Sequence, residues 1–156
     1  MLIRTVYTVG AFDILHEGHI NLLKTSHEYC GERGILIVGL LTDKVIEEYK
    51  RKPYVSYYNR LEVMRSIRYV DHVIPADSMS YKENVERIQP DIVVNADDWV
   101  NNEKWFKHRE ELIELLNQYG GKLIEPPYTE GISTTQIVNT IIMRSDLFNS
   151  IQPSNV

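Results

Sequence analysis

Apolar residues fall in short unbroken runs separated by stretches with helical spacing, and the two patterns alternate to the end of the chain. Ile3 to Val9 is a β-branched and aromatic run of strand type, followed by Ile20, Leu22, Leu23, Ser26 and Cys30 at the spacing of a buried helix stripe. Gly31 and Gly34 stop that helix, and Gly34 to Leu41 is continuously apolar, as in a strand covered on both faces. Thr42 and Asp43 cap a short polar helix. After a loop broken at Pro53, Ser56 caps a helix that turns Leu61, Met64, Ser66 and Ile67 inward. Strands predicted at His72 to Pro75, Ile92 to Asn95 and Lys122 to Ile124 alternate with helices at Tyr81 to Gln89 and Lys104 to Tyr119. The second of these carries Phe106, Leu112, Ile113, Leu115 and Leu116 on its apolar side and stops at Gly120-Gly121. A last helix begins around Ser133 to Thr135 and carries Ile137, Val138, Ile141 and Ile142.

Strands alternating with helices throughout predict an α/β protein, a single Rossmann-like domain with a parallel sheet and helices on both faces. The domain is expected over residues 1–144. Residues 145–156, polar and rich in Ser and Asn, form either a frayed tail or a final turn docked through Leu147, Phe148 and Ile151.

Composition narrows the classes. With 156 residues, 43% hydrophobic and 25% charged, the chain suits one globular domain with a proper core. The longest apolar run, Ile35 to Leu41, is too short for a bilayer, and Met1-Leu2-Ile3-Arg4 leads into a strand without signal-peptide architecture, so a cytoplasmic protein with no membrane partner is expected. Cys30, the single cysteine, has no partner for a disulfide and reads as a buried structural thiol. A net charge of −5 argues against a nucleic-acid partner, while Lys50, Arg51, Lys52, Arg60, Arg65 and Arg68 supply a local cluster able to draw a small anion.

The chemistry concentrates at Gly10-Ala11-Phe12-Asp13-Ile14-Leu15-His16-Glu17-Gly18-His19, a turn from the first strand into the first helix. Unpaired amides and the positive dipole end at a helix start favour an anion, and an open parallel sheet leaves a crevice at the same place. His16 and His19, three apart, project from one helix face with Gly18 keeping the approach clear. Imidazoles donate hydrogen bonds in either protonation state and can carry positive charge near neutral pH, which suits a phosphate gaining charge in a transition state. The bland alternative is two solvated histidines. A zinc-protease reading fails because position 20 is Ile where a second histidine is needed, and no metal site is expected.

A second cradle lies at Thr129-Glu130-Gly131-Ile132-Ser133-Thr134-Thr135. Gly131 permits close backbone approach, and three hydroxyls at a helix start form an anion nest, more than an N-cap alone requires.

These stretches resemble the G-x-F-D-x-x-H-x-G-H signature and the R-T-E-G-I-S-T-T motif of the cytidylyltransferase branch of the nucleotidyltransferase superfamily. Arg68-Tyr69-Val70-Asp71 is similar to that family's R-Y-V-D-E motif, and Asp97-Asp98-Trp99 to a G-D-D-W segment of bacterial glycerol-3-phosphate cytidylyltransferases, the branch nearest overall. The matches keep the family's order over roughly residues 3–140.

The resemblance implies transfer of CMP from CTP to a small phosphate, glycerol 3-phosphate or similar, with release of pyrophosphate, Mg²⁺ on the triphosphate, and a homodimer. It gives catalytic roles to His16, His19, Lys50 and Arg60, and nucleotide binding to Gly10, Ala11, Phe12, Asp13, Arg68, Asp97, Thr129, Gly131, Ile132, Ser133, Thr134 and Thr135. From the residues alone, Lys50-Arg51-Lys52 is either a solvated charge run or a lysine closing over the triphosphate.

Two positions depart from the pattern. Ala11 stands where the glycerol-3-phosphate enzymes usually have Thr, and Tyr128 where the second motif begins with Arg, replacing a five-donor cation by one hydroxyl and opening the acceptor to other phosphates or phosphonates. The rival readings are an adenylyltransferase and a noncatalytic CTP-binding sensor. A tRNA synthetase fragment is excluded by the short acidic chain, whose Asp77-Ser78-Met79-Ser80 only echoes the lysine-rich second signature of those enzymes.

Overall fold

A computed structural model describes residues 3–99 and 103–151. Met1, Leu2 and residues 152–156, which the sequence places at the entry to the first strand and in the tail, lie outside the described residues, as does the side chain of Ile151.

The predicted strands form at β1 (Thr5–Gly10), β2 (Ile35–Leu41), β3 (His72–Ala76), β4 (Ile92–Val94) and β5 (Lys122–Ile124). All pair in parallel, in the order β3-β2-β1-β4-β5. The helices are α1 (Glu17–Cys30), α2 (Asp43–Tyr49), α3 (Tyr57–Arg65), α4 (Lys82–Ile88), α5 (Glu103–Asn117) and α6 (Thr134–Ile151), with a 3-10 turn at Asp97–Trp99.

Strand alternation sorts the core into two layers. Val6, Leu36, Val38, Leu40, Ile92 and Val94 face α1 and α3 through Leu23, Cys30 and Met64, while Tyr7 and Val93 face α4 and α5 through Val85, Leu112, Leu115 and Leu116. Both faces of the central strands are therefore covered, which is why β2 reads as one apolar run rather than alternating. Cys30 is buried, and desolvation pushes its thiol up to about 11, so it packs as a small apolar group.

Three packing expectations are corrected. Ser66 is exposed at the end of α3, where its hydroxyl donates to the Glu62 carbonyl. Phe106 is exposed near the start of α5. Ile141 and Ile142 are 60% and 53% exposed, because α6 meets the domain at its amino end, through Thr134, and runs on as a helix to Ile151. Leu147 and Phe148 are exposed as well.

The strand order reverses direction between β1 and β4. Loops leaving the carboxyl ends of these strands part in opposite directions and open a crevice there.

Candidate active site

A cavity of about 510 Å³ occupies that crevice, between the Gly10–His19 turn, the end of α2 and the residues on either side of the α6 start. The turn itself is strained. Phe12 and Ile14 adopt φ of 49° and 51°, the left-handed region that a β-branched residue seldom enters. Such conformations cost about 1–3 kcal/mol each and persist where the surroundings over-determine them.

Asp13, between the two, is the post that holds them. Its carboxylate accepts the amides of Tyr54 and Val55, each at 2.9 Å, and the Arg51 guanidinium at 3.0 Å. Burial alone would raise its pKa, but the two amides and Arg51 outweigh it and hold the carboxyl below the usual range. Asp13 therefore fixes the basic loop against the first cradle, with its carboxylate committed to the chain. Arg51 also donates to the Lys52 carbonyl and lies 3.7 Å from the Tyr54 ring centroid, which leaves Lys50 as the lysine on the cavity wall.

His16 is the N-cap of α1 and His19 sits one turn in. The His16 amide donates to His19 Nδ1 at 3.3 Å, which leaves the ring proton of a neutral His19 on Nε2. The rings stack at 3.8 Å with planes 27° apart. Burial, then the neighbouring His16, then Lys50 push His19 down to about 4 against the opposing pull of Asp13, and burial also lowers His16. Burial thus favours the neutral form of both imidazoles, which still donates through one ring N–H, as either protonation state was expected to do. A side chain at Gly18 would bring a Cβ to 3.1 Å from the His16 ring and into ordinary contact with Thr129 at 3.5 Å, so glycine spares the His16 ring a shift of a few tenths of an ångström.

The second cradle meets the first directly. Gly131, at φ 83°, turns the chain into α6, and the Thr134 hydroxyl donates to the Asp13 carbonyl at 2.6 Å. Ser133 caps α6 by accepting the Gln136 amide, and Ile137 donates to the Ser133 carbonyl. Two of the three hydroxyls are therefore structural. What faces the cavity is the helix start itself, where the Thr134 and Thr135 amides have no acceptor among the described residues, with the Thr135 side chain beside them.

Of the remaining expected site residues, Gly10, Ala11, Phe12 and Thr129 line the cavity, whereas Gly131 and Ile132 shape the turn behind it. Arg60 is a correction. It is 2% exposed and donates to the carbonyls of Val55, Ala11 and Leu41 and to Asp43 Oδ1, so its guanidinium closes the structure beneath the cavity and presents nothing to a ligand. Arg68 is another, exposed over the Tyr69 ring in the segment before β3, at the amino ends of the strands and away from the cavity. Asp97 accepts the Tyr128 amide at 2.8 Å and so pins the loop that carries Tyr128.

Three residues enter that the sequence reading passed over. Asp98 lines the cavity, an exposed residue whose carboxyl is nonetheless raised by desolvation, and Tyr49 lines it as well. Asn21 donates to Thr129 Oγ1 at 3.2 Å, lacing α1 to the second cradle. The adjacent acids Asp97 and Asp98 carry no pattern that tells which faces inward, and Asn21 carries no signal at all.

The chain matches the family model described as cytidylyltransferase-like over residues 7–140. It is 38% identical to a protein of Staphylococcus aureus named glycerol-3-phosphate cytidylyltransferase, over 86% of this chain and 92% of that one. A Bacillus subtilis protein of the same name is 35% identical, over 88% and 97% of the two chains. In fold, the chain is similar to the crystal structure of the lipopolysaccharide core biosynthesis protein from Thermoplasma volcanium, with a TM-score of 0.65 at 24% identity, covering 83% of this chain and 98% of that one.

Proposed function

The chain belongs to the cytidylyltransferase-like family, and from that premise we propose that it transfers CMP from CTP to the phosphate oxygen of a small acceptor, releasing pyrophosphate. The acceptor in the names of its relatives, glycerol 3-phosphate, is the first to test. The observation that carries the reading is the stacked His16–His19 pair on the same cavity wall as Lys50 and the start of α6.

An acceptor oxygen attacks the α-phosphorus in line, a new P–O bond forms, and the bond to the bridging oxygen of pyrophosphate breaks. Such transfer asks for positioning and charge stabilisation more than covalent work. His19 Nε2–H and His16 donate to the α-phosphate as its charge grows. Lys50 offsets charge at the cavity rim, and the open amides and dipole of α6 hold the terminal phosphates. Mg²⁺ would enter with the CTP triphosphate and offset its charge; Asp13 would not hold it, its carboxylate being filled by Arg51, Tyr54 and Val55.

Two further parts belong to the same proposal. The protein works in the cytoplasm, beside the CTP pool; among the described residues no helix is long and apolar enough to cross a membrane. It works as a homodimer, a reading supported by the exposed Ile141, Ile142, Met143, Leu147 and Phe148 on α6, and light scattering on the purified protein checks the mass.

The test of the activity is pyrophosphate release with CTP, Mg²⁺ and glycerol 3-phosphate, with ATP in place of CTP as control. Release dependent on both CTP and acceptor supports the reading, while release with ATP alone among the nucleotides would replace it by an adenylyltransferase.

A further inference from the structure

After β5 the chain runs as a strap, Glu125-Pro126-Pro127-Tyr128-Thr129, and every residue of it past Glu125 lines the cavity. Two consecutive prolines leave the strap without an amide at 126 and 127, so it has little hydrogen bonding of its own to hold it in place. It is held from outside, at both ends. Asp97 accepts the Tyr128 amide at 2.8 Å, and the Asp97 amide donates to the Pro126 carbonyl at 3.1 Å. On the β5 side the Glu125 carboxylate accepts three bonds of 2.7 Å, from the Trp99 indole N–H and Arg109 Nε on Oε1 and from Arg109 Nη2 on Oε2.

Resting on the cytidylyl-transfer reading, we propose that Glu125, clamped by Arg109, is a positioning residue for the nucleotide, fixing the strap against the Asp97–Trp99 turn and so setting the width of the cavity that CTP enters. Neither Glu125 nor Arg109 is on the cavity wall, nor on that of a second cavity, of about 500 Å³, whose rim shares Tyr49, Lys50, Asn95 and Asp98 with the first. Their effect reaches the ligand through the strap and through Trp99.

The geometry of the clamp suits this task. Arg109 grips the carboxylate with two bonds in one plane, which fixes orientation as well as distance. The two side chains are 22% and 21% exposed, and the Arg109 bonds hold the Glu125 carboxyl below the usual range. Trp99 is buried and directly follows Asp98, so the carboxylate that holds the strap also holds the turn that presents Asp98 to both cavities. Docking α5 does not require the clamp, because Leu112, Leu115 and Leu116 already pack against Tyr7 and Val93. The far end of the strap is tied separately, by Asn21 to Thr129 and by Thr134 to the Asp13 carbonyl. Release at Glu125 therefore leaves the strap anchored at one end and free to swing at the other.

The experiment measures CTP binding by calorimetry and pyrophosphate release by initial rates, on the unmodified protein and on Arg109→Leu, Glu125→Gln and Trp99→Phe, each checked for folding by circular dichroism. Arg109→Leu is expected to weaken CTP binding and raise the CTP KM by about tenfold, with kcat at saturating CTP within about threefold of the parent. Glu125→Gln loses the fork but keeps an oxygen for Trp99, and Trp99→Phe keeps the ring but loses the N–H, so each is expected to weaken binding by about threefold. Because both partners act through Glu125, Arg109→Leu combined with Trp99→Phe should cost less than the product of the separate losses. A pair that only stabilises the fold would lower the unfolding temperature and leave the CTP affinity of the folded variants unchanged, and that result overturns the inference, as does a loss confined to kcat. Should Arg109→Leu not fold, Glu125→Gln and Trp99→Phe decide on the same terms. Tight CTP binding by the unmodified protein without pyrophosphate release sinks the transferase reading alone, since the affinities still judge the clamp, and no CTP binding sinks both.

Discussion

The Thr134 hydroxyl donates to the Asp13 carbonyl at 2.6 Å, across 121 residues of sequence. That bond seats the start of α6 on the strained turn after β1, so the two glycine-bearing stretches of the cavity wall hold a fixed separation. Thr134→Val keeps the shape of the side chain and removes the donor. It is expected to raise the KM for CTP by about tenfold and to lower stability by about 1 kcal/mol, as initial rates and urea titration would show. An unchanged KM would mean that the two cradles are positioned independently.

His16→Ala or His19→Ala should lower kcat by at least about a hundredfold, the cost of one preorganised donor to a developing charge. Single-turnover measurements at saturating CTP isolate the step. A change in KM alone would remove both residues from the chemistry.

Stability should fall on the acid side for a reason that can be assigned. His19 titrates at about 4 in the folded chain against an ordinary 6.5, so as pH drops below 6.5 the unfolded chain binds the proton first. The loss begins there and is complete near the folded value, amounting to about 3 kcal/mol at most. Urea unfolding between pH 7 and 4 should show this slope, and His19→Gln should flatten its share of it.

Arg60→Met should destabilise the protein by about 3–5 kcal/mol, because Asp43 and three carbonyl oxygens lose their buried partner. Since Arg60 presents nothing to the cavity, the folded fraction at low temperature should keep a kcat within a few-fold of the parent. A collapse of kcat in protein shown by circular dichroism to be folded would restore a direct role.

The elements were legible in the sequence because a parallel sheet covered on both faces writes itself as unbroken apolar runs, and β2 is the clearest of them. That the Gly10–His19 turn and the residues before α6 would share one cavity was legible for a related reason: both are glycine-bearing turns into helices, and such turns gather at the carboxyl edge of a parallel sheet. The basic residues were not. Arg51, Arg60 and Arg68 look alike in the sequence, yet one braces Asp13, one is sealed beneath the cavity and one lies at the far end of the sheet. Which of these happens depends on contacts 17 to 49 residues away along the chain, for instance Arg60 with Asp43 and Ala11, and no local spacing encodes them. The exposed face of α6 was misread for the opposite reason. Helical spacing reports that an apolar stripe exists but not that anything covers it.

The two cavities draw on different lengths of chain. The first is built mainly from the residues around β1 and from those that follow β5, while the second, beyond the shared rim, takes Ser78, Met79, Tyr81, Trp99, Trp105 and His108 from the middle. Asn95, Ala96 and Asp98 line the first cavity from within that same middle stretch, so a change at the end of β4 reaches both cavities at once.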